Sequence, residues 1–310
     1  MALRATVTTR ALESLQRLAA SARRVEAADL ASRLPDLVIK ARELAASVVH
    51  GVHGRRRAGS GENFWQFRPF GAGEAAHRID WRRSARDDRL FVREREWEAA
   101  HSYFLWMDCS PSMAFVSSLA MDVKLDRAVT LGLALADILV RGGERVGCLG
   151  LTGALSTRDI VERLAQALVA AGAAVARDEL PPAAPLARGA KALLLSDFLC
   201  DPQALAERLA QLSSAGATGA LLMIADPAEE TFPFEGETLF LDTDSSVSFH
   251  AGRAQSWRDL YVERLAEHRD AVARAAERTG FSFQLHRTDR PASEAALTLS
   301  VALSFGLERF

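Results

Sequence analysis

Oxygen-bearing side chains stand at the ends of two apolar runs. In "LWMDCSPSM", residues 105–113, the run stops at Asp108, and Ser110 and Ser112 follow; in "LLLSDF", residues 193–198, it stops at Ser196 and Asp197. Alternate residues of an extended segment share a face, so D-x-S-x-S lets one tight loop present a carboxylate and two hydroxyls to one side. Oxygen-only ligands suit a hard cation, and Mg²⁺ takes six oxygens at about 2.0–2.1 Å, keeping waters beside one or two carboxylates. Asp108, Ser110, Ser112 and Asp197 are therefore the candidate metal ligands, with Mg²⁺ the expected ion and Mn²⁺ or Ca²⁺ its substitutes. A cation bound partly through water keeps positive charge and an open position, which a partner's Asp or Glu could fill. Such a site docks a protein and catalyses nothing.

Other readings of the same residues stay open. Asp and Ser at a strand-to-helix turn are ordinary N-caps, although capping alone does not explain two acids at neighbouring strand ends. A serine nucleophile is disfavoured, because neither Ser110 nor Ser112 lies in a G-x-S-x-G elbow. A metal-assisted phosphohydrolase using Asp108 and Asp197 needs a base or a second metal, for which Asp226 is the candidate. Asp226 could equally cap the segment that begins at Pro227. The chain holds no H-x-x-x-H pair and no Walker loop, and "GAG" at 71–73 reads as a turn.

The elements that must carry these residues are legible from periodicity. "SYFLWMD", "RVGCLGL", "KALLLSDF", "TGALLMIAD", "GETLFLDT" and "FSFQLHRTD" read as six strands. Between them run helical patterns: "KLDRAVTLGLALADILVRGG", "TRDIVERLAQALVAAG", "PQALAERLAQLSSAG" and a long helix from about 254 to 279, with "ASEAALTLSVALSFG" closing the chain. Apolar strands without polar alternation, separated by helices, predict an α/β doubly wound, mostly parallel sheet with helices on both faces. Ligands in such sheets bind at the carboxyl ends of strands, where strand order reverses, and this edge carries Asp108 and Asp197.

Ahead of this domain, expected at 99–310, residues 1–98 form a smaller α+β region. A polar-faced helix carries Leu12, Leu15 and Leu18, and a second runs from Pro35 to about His53. Residues 54–98 are rich in aromatics, arginines and acids, with "RLFVREREWE" as a strand. Ile79 and Trp81 read as buried anchors, with Asp80 paired to a nearby arginine; Arg55 to Arg57 read as a solvated loop.

Composition removes several function classes. With 38 Lys+Arg against 40 Asp+Glu the formal charge is −2, so no whole-chain field draws nucleic acid. The acids interleaved between Arg78 and Arg95 argue against a phosphate-binding patch. No apolar stretch approaches the roughly 20 residues of a membrane span, and arginines interrupt the N-terminal segment where a signal peptide needs an apolar core. Cys109, Cys148 and Cys200 are odd in number and widely spaced, as expected of buried reduced thiols in a cytoplasmic protein.

"GENFWQFRPFGAGEAAHRIDWRRSARDDRLFVREREWE" followed by "LWMDCSPSM" and "LLLSDF" resembles the bacterial proteins grouped as domain of unknown function 58. Their α/β part is similar to von Willebrand factor A domains. "RIDWRRSAR", Arg78 to Arg86, is the most specific piece. The resemblance implies a metal-ion-dependent adhesion site whose first loop is matched by Asp108, Ser110 and Ser112, and whose later strand-end aspartate is matched by Asp197. The usual threonine on an intervening loop has Thr152 and Thr157 as candidates; without it the site would be a metal-free scaffold. Gly73-Glu74 stands where the family commonly shows Gly-Asp. Relatives are associated with MoxR-type AAA+ ATPases, so the resemblance implies a non-enzymatic adaptor or co-chaperone with such an ATPase or its client as partner, and supplies no catalytic residues.

Overall fold

The structure, a computed structural model, describes residues 3–6, 30–49, 64–71, 75–76, 79–87, 89–95, 100–172, 178–183, 186–242 and 248–304. In chain order the elements are β1 (Leu3–Thr6), α1 (30–49), β2 (Phe64–Pro69), α2 (Trp81–Ser84), β3 (Phe91–Arg95), β4 (Ser102–Met107), α3 (Lys124–Arg141), β5 (Arg145–Cys148), α4 (Ile160–Ala171), β6 (Lys191–Ser196), α5 (Pro202–Ser213), β7 (Thr218–Ala225), α6 (Pro227–Thr231), β8 (Thr238–Asp242), β9 (Ser248–Ala251), α7 (Arg258–Arg278), β10 (Phe281–Arg287) and α8 (Ala292–Ser304). The sequence changes character near residue 98, whereas packing groups Met1–Gly51 with His101–Phe310 as one compact unit and Val52–Ala100 as another.

The larger unit is built on a five-stranded parallel sheet in the order β10-β7-β6-β4-β5. Alternate strand residues face opposite ways. Leu105, Met107, Leu193 and Leu195 therefore join one apolar layer with α3, α4 and α8, while Trp106, Leu194, Leu221 and Met223 join the other with residues of α5 and α7. Both faces are covered, which is why these strands read as unbroken apolar runs. Helix α1 adds Leu30, Leu34, Leu37, Ala41, Ala45 and Val48 to the first layer. The helix thus begins upstream of Pro35, the start that the sequence pattern predicts; the one backbone hydrogen bond a proline removes is set against the burial of Leu30 and Leu34. Arg33 pairs with Asp126 of α3 at 2.6 Å, and Arg42 with Glu162 of α4.

The apolar run "GETLFLDT" predicts a further strand of this sheet, and it is not there. It is β8, paired antiparallel with β1 and β9 in a separate three-stranded sheet. A parallel neighbour needs a crossover of a dozen residues or more, usually a helix. The link from Ala225 to Thr238 contains only the five-residue α6. The 21-residue α7 supplies the missing crossover and delivers β10 to the side of β7.

Gly219 shows how closely the strands approach. A Cβ built there would lie 2.0 Å from the Ala192 carbonyl oxygen and 2.6 Å from the Phe281 ring. Gly219→Ala must push β7 away from β6, and urea unfolding is expected to show a loss of about 1–3 kcal/mol.

In the smaller unit β2 and β3 form an antiparallel pair, and Ile79 bridges to Val92, both buried. Trp81, which the composition marks as a buried anchor, is instead 62% exposed. It opens α2 on the solvent side, because Ile79 has already taken the inward position beside β3. Asp80 likewise caps α2, its carboxylate accepting from the Arg83 amide at 2.9 Å, and makes no arginine ion pair among the described residues. Arg83 lies over the Phe91 ring at 4.7 Å and 3.7 Å from Asp87. Leu12, Leu15, Leu18, Arg55 to Arg57, Gly73-Glu74 and Arg78 lie outside the described residues. Among the described residues, no helix is long and apolar enough to cross a membrane.

Candidate functional site

Strand β4 is followed in the chain by β5 on one side of it, and β6 then enters on the other. Strand order therefore reverses between β4 and β6, and their carboxyl ends flank the crevice where doubly wound sheets bind ligands. Asp108 follows β4, and its amide donates to the Leu195 carbonyl at 2.9 Å, extending the ladder one residue past the strand. Asp197 follows β6. Two parallel neighbours with register Met107 to Leu195 thus bring both acids to one edge.

The loop then folds around its own carboxylate. The Ser110 amide donates to Asp108 Oδ1 at 2.7 Å, and Ser196 Oγ donates to Asp108 Oδ2 at 2.6 Å. Ser110 Oγ and Ser112 Oγ lie 3.1 Å apart, and Ser112 also bonds the Asp197 carboxyl. The Leu199 amide donates to Asp197 Oδ1 at 3.2 Å. All four candidate residues are brought together and buried. They are not helix caps. Asp201 caps α5, α3 follows Val123 without a side-chain cap, and Ser110, which precedes a short 3-10 turn at Pro111–Ala114, makes no capping bond.

The backbone beside Asp197 is strained. Phe198 adopts φ 47° although it carries a side chain, a conformation L residues visit at a cost and retain where surroundings enforce it. Here the Phe198 amide donates to Ser196 Oγ at 2.9 Å, its carbonyl accepts from His268 Nε2 at 2.7 Å, and its ring packs 6.4 Å from Trp106. The same serine thus holds both Asp108 and the turn that follows Asp197.

Sequence reasoning missed two side chains here. Lys124, with 0% exposure, donates from Nζ to Asp197 Oδ2 at 2.8 Å and to Glu229 Oε1 at 2.6 Å, with the Phe115 ring at 5.7 Å. Glu229 is fixed in turn, since its Oε2 accepts from the Asp226 amide at 2.9 Å. Asp226 accepts from the Ala228 amide at 2.8 Å through Oδ1 and from the Ser117 amide at 2.7 Å through Oδ2. It is the first residue of a capping box. "DPAEE" carries that signature in its D-x-x-E spacing. The signal for Lys124 is subtler: a cation in the first turn of a helix opposes the macrodipole and wants a local reason.

The charges sort themselves unequally. Burial pushes Asp197 up, but the Lys124 charge and hydrogen bond outweigh it and hold this carboxyl below the usual range. Burial alone would lower Lys124; Asp197 and Glu229 reverse that and keep the ammonium protonated. Burial raises Glu229 despite its lysine bond. Asp108, 1% exposed, has no cationic side chain in salt-bridge contact among the described residues, and burial followed by the Asp197 charge pushes it up to about 7.

Three hydroxyls and an uncompensated carboxylate beside Asp197 form an oxygen-only donor set, which fits a hard divalent cation. Among the described residues no three His, Cys, Asp or Glu side chains converge as metal ligands, so an ion here would rest on serine hydroxyls as much as on acids. The third hydroxyl is that of Ser196. Thr152 Oγ1 is committed to the Cys148 amide at 2.8 Å, and Thr157 lies beside Asp159 at the start of α4. Cys109, inside the loop, is buried and its thiol is pushed up to about 12 by burial and then by Asp108, so it stays protonated.

A family model described as "Protein of unknown function DUF58" matches residues 66–271. Uncharacterized protein Mb1516 of Mycobacterium bovis and Uncharacterized protein Rv1480 of Mycobacterium tuberculosis are each 28% identical over 277 residues, which covers 84% of this chain and 86% of theirs. No solved structure matches it.

Proposed function

The chain belongs to the DUF58 family, and from that premise we propose that it is a non-enzymatic protein-interaction module of von Willebrand A-like design. It docks a partner carboxylate through a divalent cation, Mg²⁺ in the first instance, held at Asp108, Ser110, Ser112 and Asp197. The observation that carries this reading is the unbalanced Asp108, a buried carboxylate among hydroxyls with no cationic side chain in salt-bridge contact among the described residues. Burying such a charge is costly unless it is paired. Bound there, the ion supplies positive charge and an open coordination position.

The chain's own residues do the rest. Ser196 and the Ser110 amide aim the Asp108 carboxylate, Lys124 holds Asp197, and the loop beyond the serines offers a contact surface. Val116, Leu119 and Met121 are exposed on that loop, which is anchored by the Ser117 amide on Asp226 and the Met121 amide on the Thr288 carbonyl at 3.1 Å. A rigid apolar rim beside an ion suits an acidic residue flanked by apolar ones. The partner implied by the family resemblance is a MoxR-type AAA+ ATPase or its client. The phosphohydrolase alternative loses its specific support, because Asp226 is accounted for as the N-cap of α6, with both of its oxygens accepting backbone amides.

The test is capture of a purified MoxR-type ATPase on the immobilised chain, in millimolar Mg²⁺ or in chelator. Capture is expected in Mg²⁺ only, and Asp108→Ala should abolish it. Equal capture by wild type and variant in chelator would sink the docking reading.

A further inference from the structure

We propose that Lys124 is a tethered counter-cation that competes with the divalent ion for the Asp108–Asp197 site, so that Asp197 is already balanced in the free protein and the ion is held weakly. This rests on the docking reading above and adds how that site is regulated.

Three observations carry it. The first is placement: the ammonium sits on Asp197 Oδ2 at 2.8 Å, an oxygen of a candidate ligand, and nothing of the side chain reaches solvent. The second is rigidity. Glu229 holds the same ammonium at 2.6 Å, is itself tied to the Asp226 amide, and Asp226 is tied to the loop at Ser117. The lysine cannot swing aside without giving up Glu229, which the α6 capping box holds in place. The third is asymmetry. Lys124 serves Asp197 and Glu229, while Asp108 is buried with neutral donors, the Ser110 amide and the Ser196 hydroxyl, on its oxygens, so the crevice has a half that is already balanced and a half that is open, with Asp197 common to both.

A divalent ion sharing Asp197 with a fixed ammonium meets like-charge repulsion, and in a buried site that repulsion is screened far less than in water. The lysine therefore lowers cation affinity while keeping Asp197 and Glu229 satisfied. A partner's carboxylate restores the missing negative charge, and ion and partner are expected to bind together.

The measurement is Mn²⁺ titration calorimetry on the full chain, with thermal unfolding in Mn²⁺ and in chelator as a second readout. Two variants are compared with wild type: K124Q, and K124M/E229Q, which removes the lysine and one acid together and leaves the formal charge unchanged. The amide oxygen introduced by E229Q can still accept from the Asp226 amide, so the double variant keeps the chain testable should K124Q fail to fold. The expected result is Mn²⁺ affinity at least tenfold tighter than wild type in K124M/E229Q, a larger Mn²⁺-induced rise in Tm, and loss of both on adding D108A. Equal or weaker affinity in the folded variants overturns the competition. If that binding still requires Asp108, the docking reading survives it. Failure of Mn²⁺ to bind wild type and variants alike overturns both.

Discussion

Lys124→Ala is expected to lower the unfolding free energy by about 3–5 kcal/mol at pH 7 in chelator, the range for removing one partner of a buried ion pair. The magnitude follows from what is left behind. Asp197 and Glu229 are nearly solvent-free, and neither has another cationic side chain in salt-bridge contact among the described residues. The truncation also leaves a cavity where a long side chain was enclosed, which adds its own cost. K124M/E229Q should recover part of the loss, because methionine fills the space and one of the two stranded carboxylates is gone, while Asp197 is still left without its cation. Urea unfolding of the two variants beside wild type decides it. A loss under about 1 kcal/mol for Lys124→Ala, no more than an exposed ion pair is worth, would mean that water reaches the carboxylates.

Asp108→Asn should act in the opposite direction, and only at the alkaline end. A carboxyl raised from 3.8 to about 7 binds its proton more tightly in the folded chain than in the unfolded one. Its ionisation therefore opposes folding: the penalty is absent below about pH 4, grows as pH rises toward 7, and is constant above that. At about 1.36 kcal/mol for each pH unit between the two values, the full penalty is about 4 kcal/mol. Asparagine keeps an acceptor for the Ser110 amide and cannot ionise. In chelator, the variant should match wild type near pH 4 and exceed it by up to about 4 kcal/mol at pH 8. A difference independent of pH would show that Asp108 is not the titrating group. Saturating Mg²⁺ should erase the advantage, since an ion compensates the charge that asparagine removes.

Much of this site is readable in the sequence because strand-end acids follow apolar runs. Asp108 and Asp197 stand out since little that is polar precedes them for several residues, and parallel neighbours must place them together. Lys124 is hidden by its type: lysine at a helix start reads as a solvated charge, and only the three-dimensional meeting of residues 124, 197 and 229 shows it buried. Glu229 is concealed inside a capping box, whose local explanation is sufficient for one of its oxygens and silent about the other. The fate of "GETLFLDT" turns on the length of α6, because the apolar run itself suits either sheet. Trp81 misleads because aromatic residues are usually covered, whereas its position in a four-residue helix decides its exposure.

The distances between these partners along the chain have a consequence for assembly. Asp108 meets Ser196 across 88 residues, Lys124 meets Glu229 across 105, and Ser117 meets Asp226 across 109. Contacts so far apart in sequence close late, since the loop entropy must be met before they form. On the ribosome, Lys124 emerges well before either of its acids, and its second partner is supplied only when α6 has been made. The crevice is thus among the last features to mature, and a chain halted before residue 229 presents its lysine to a single carboxylate.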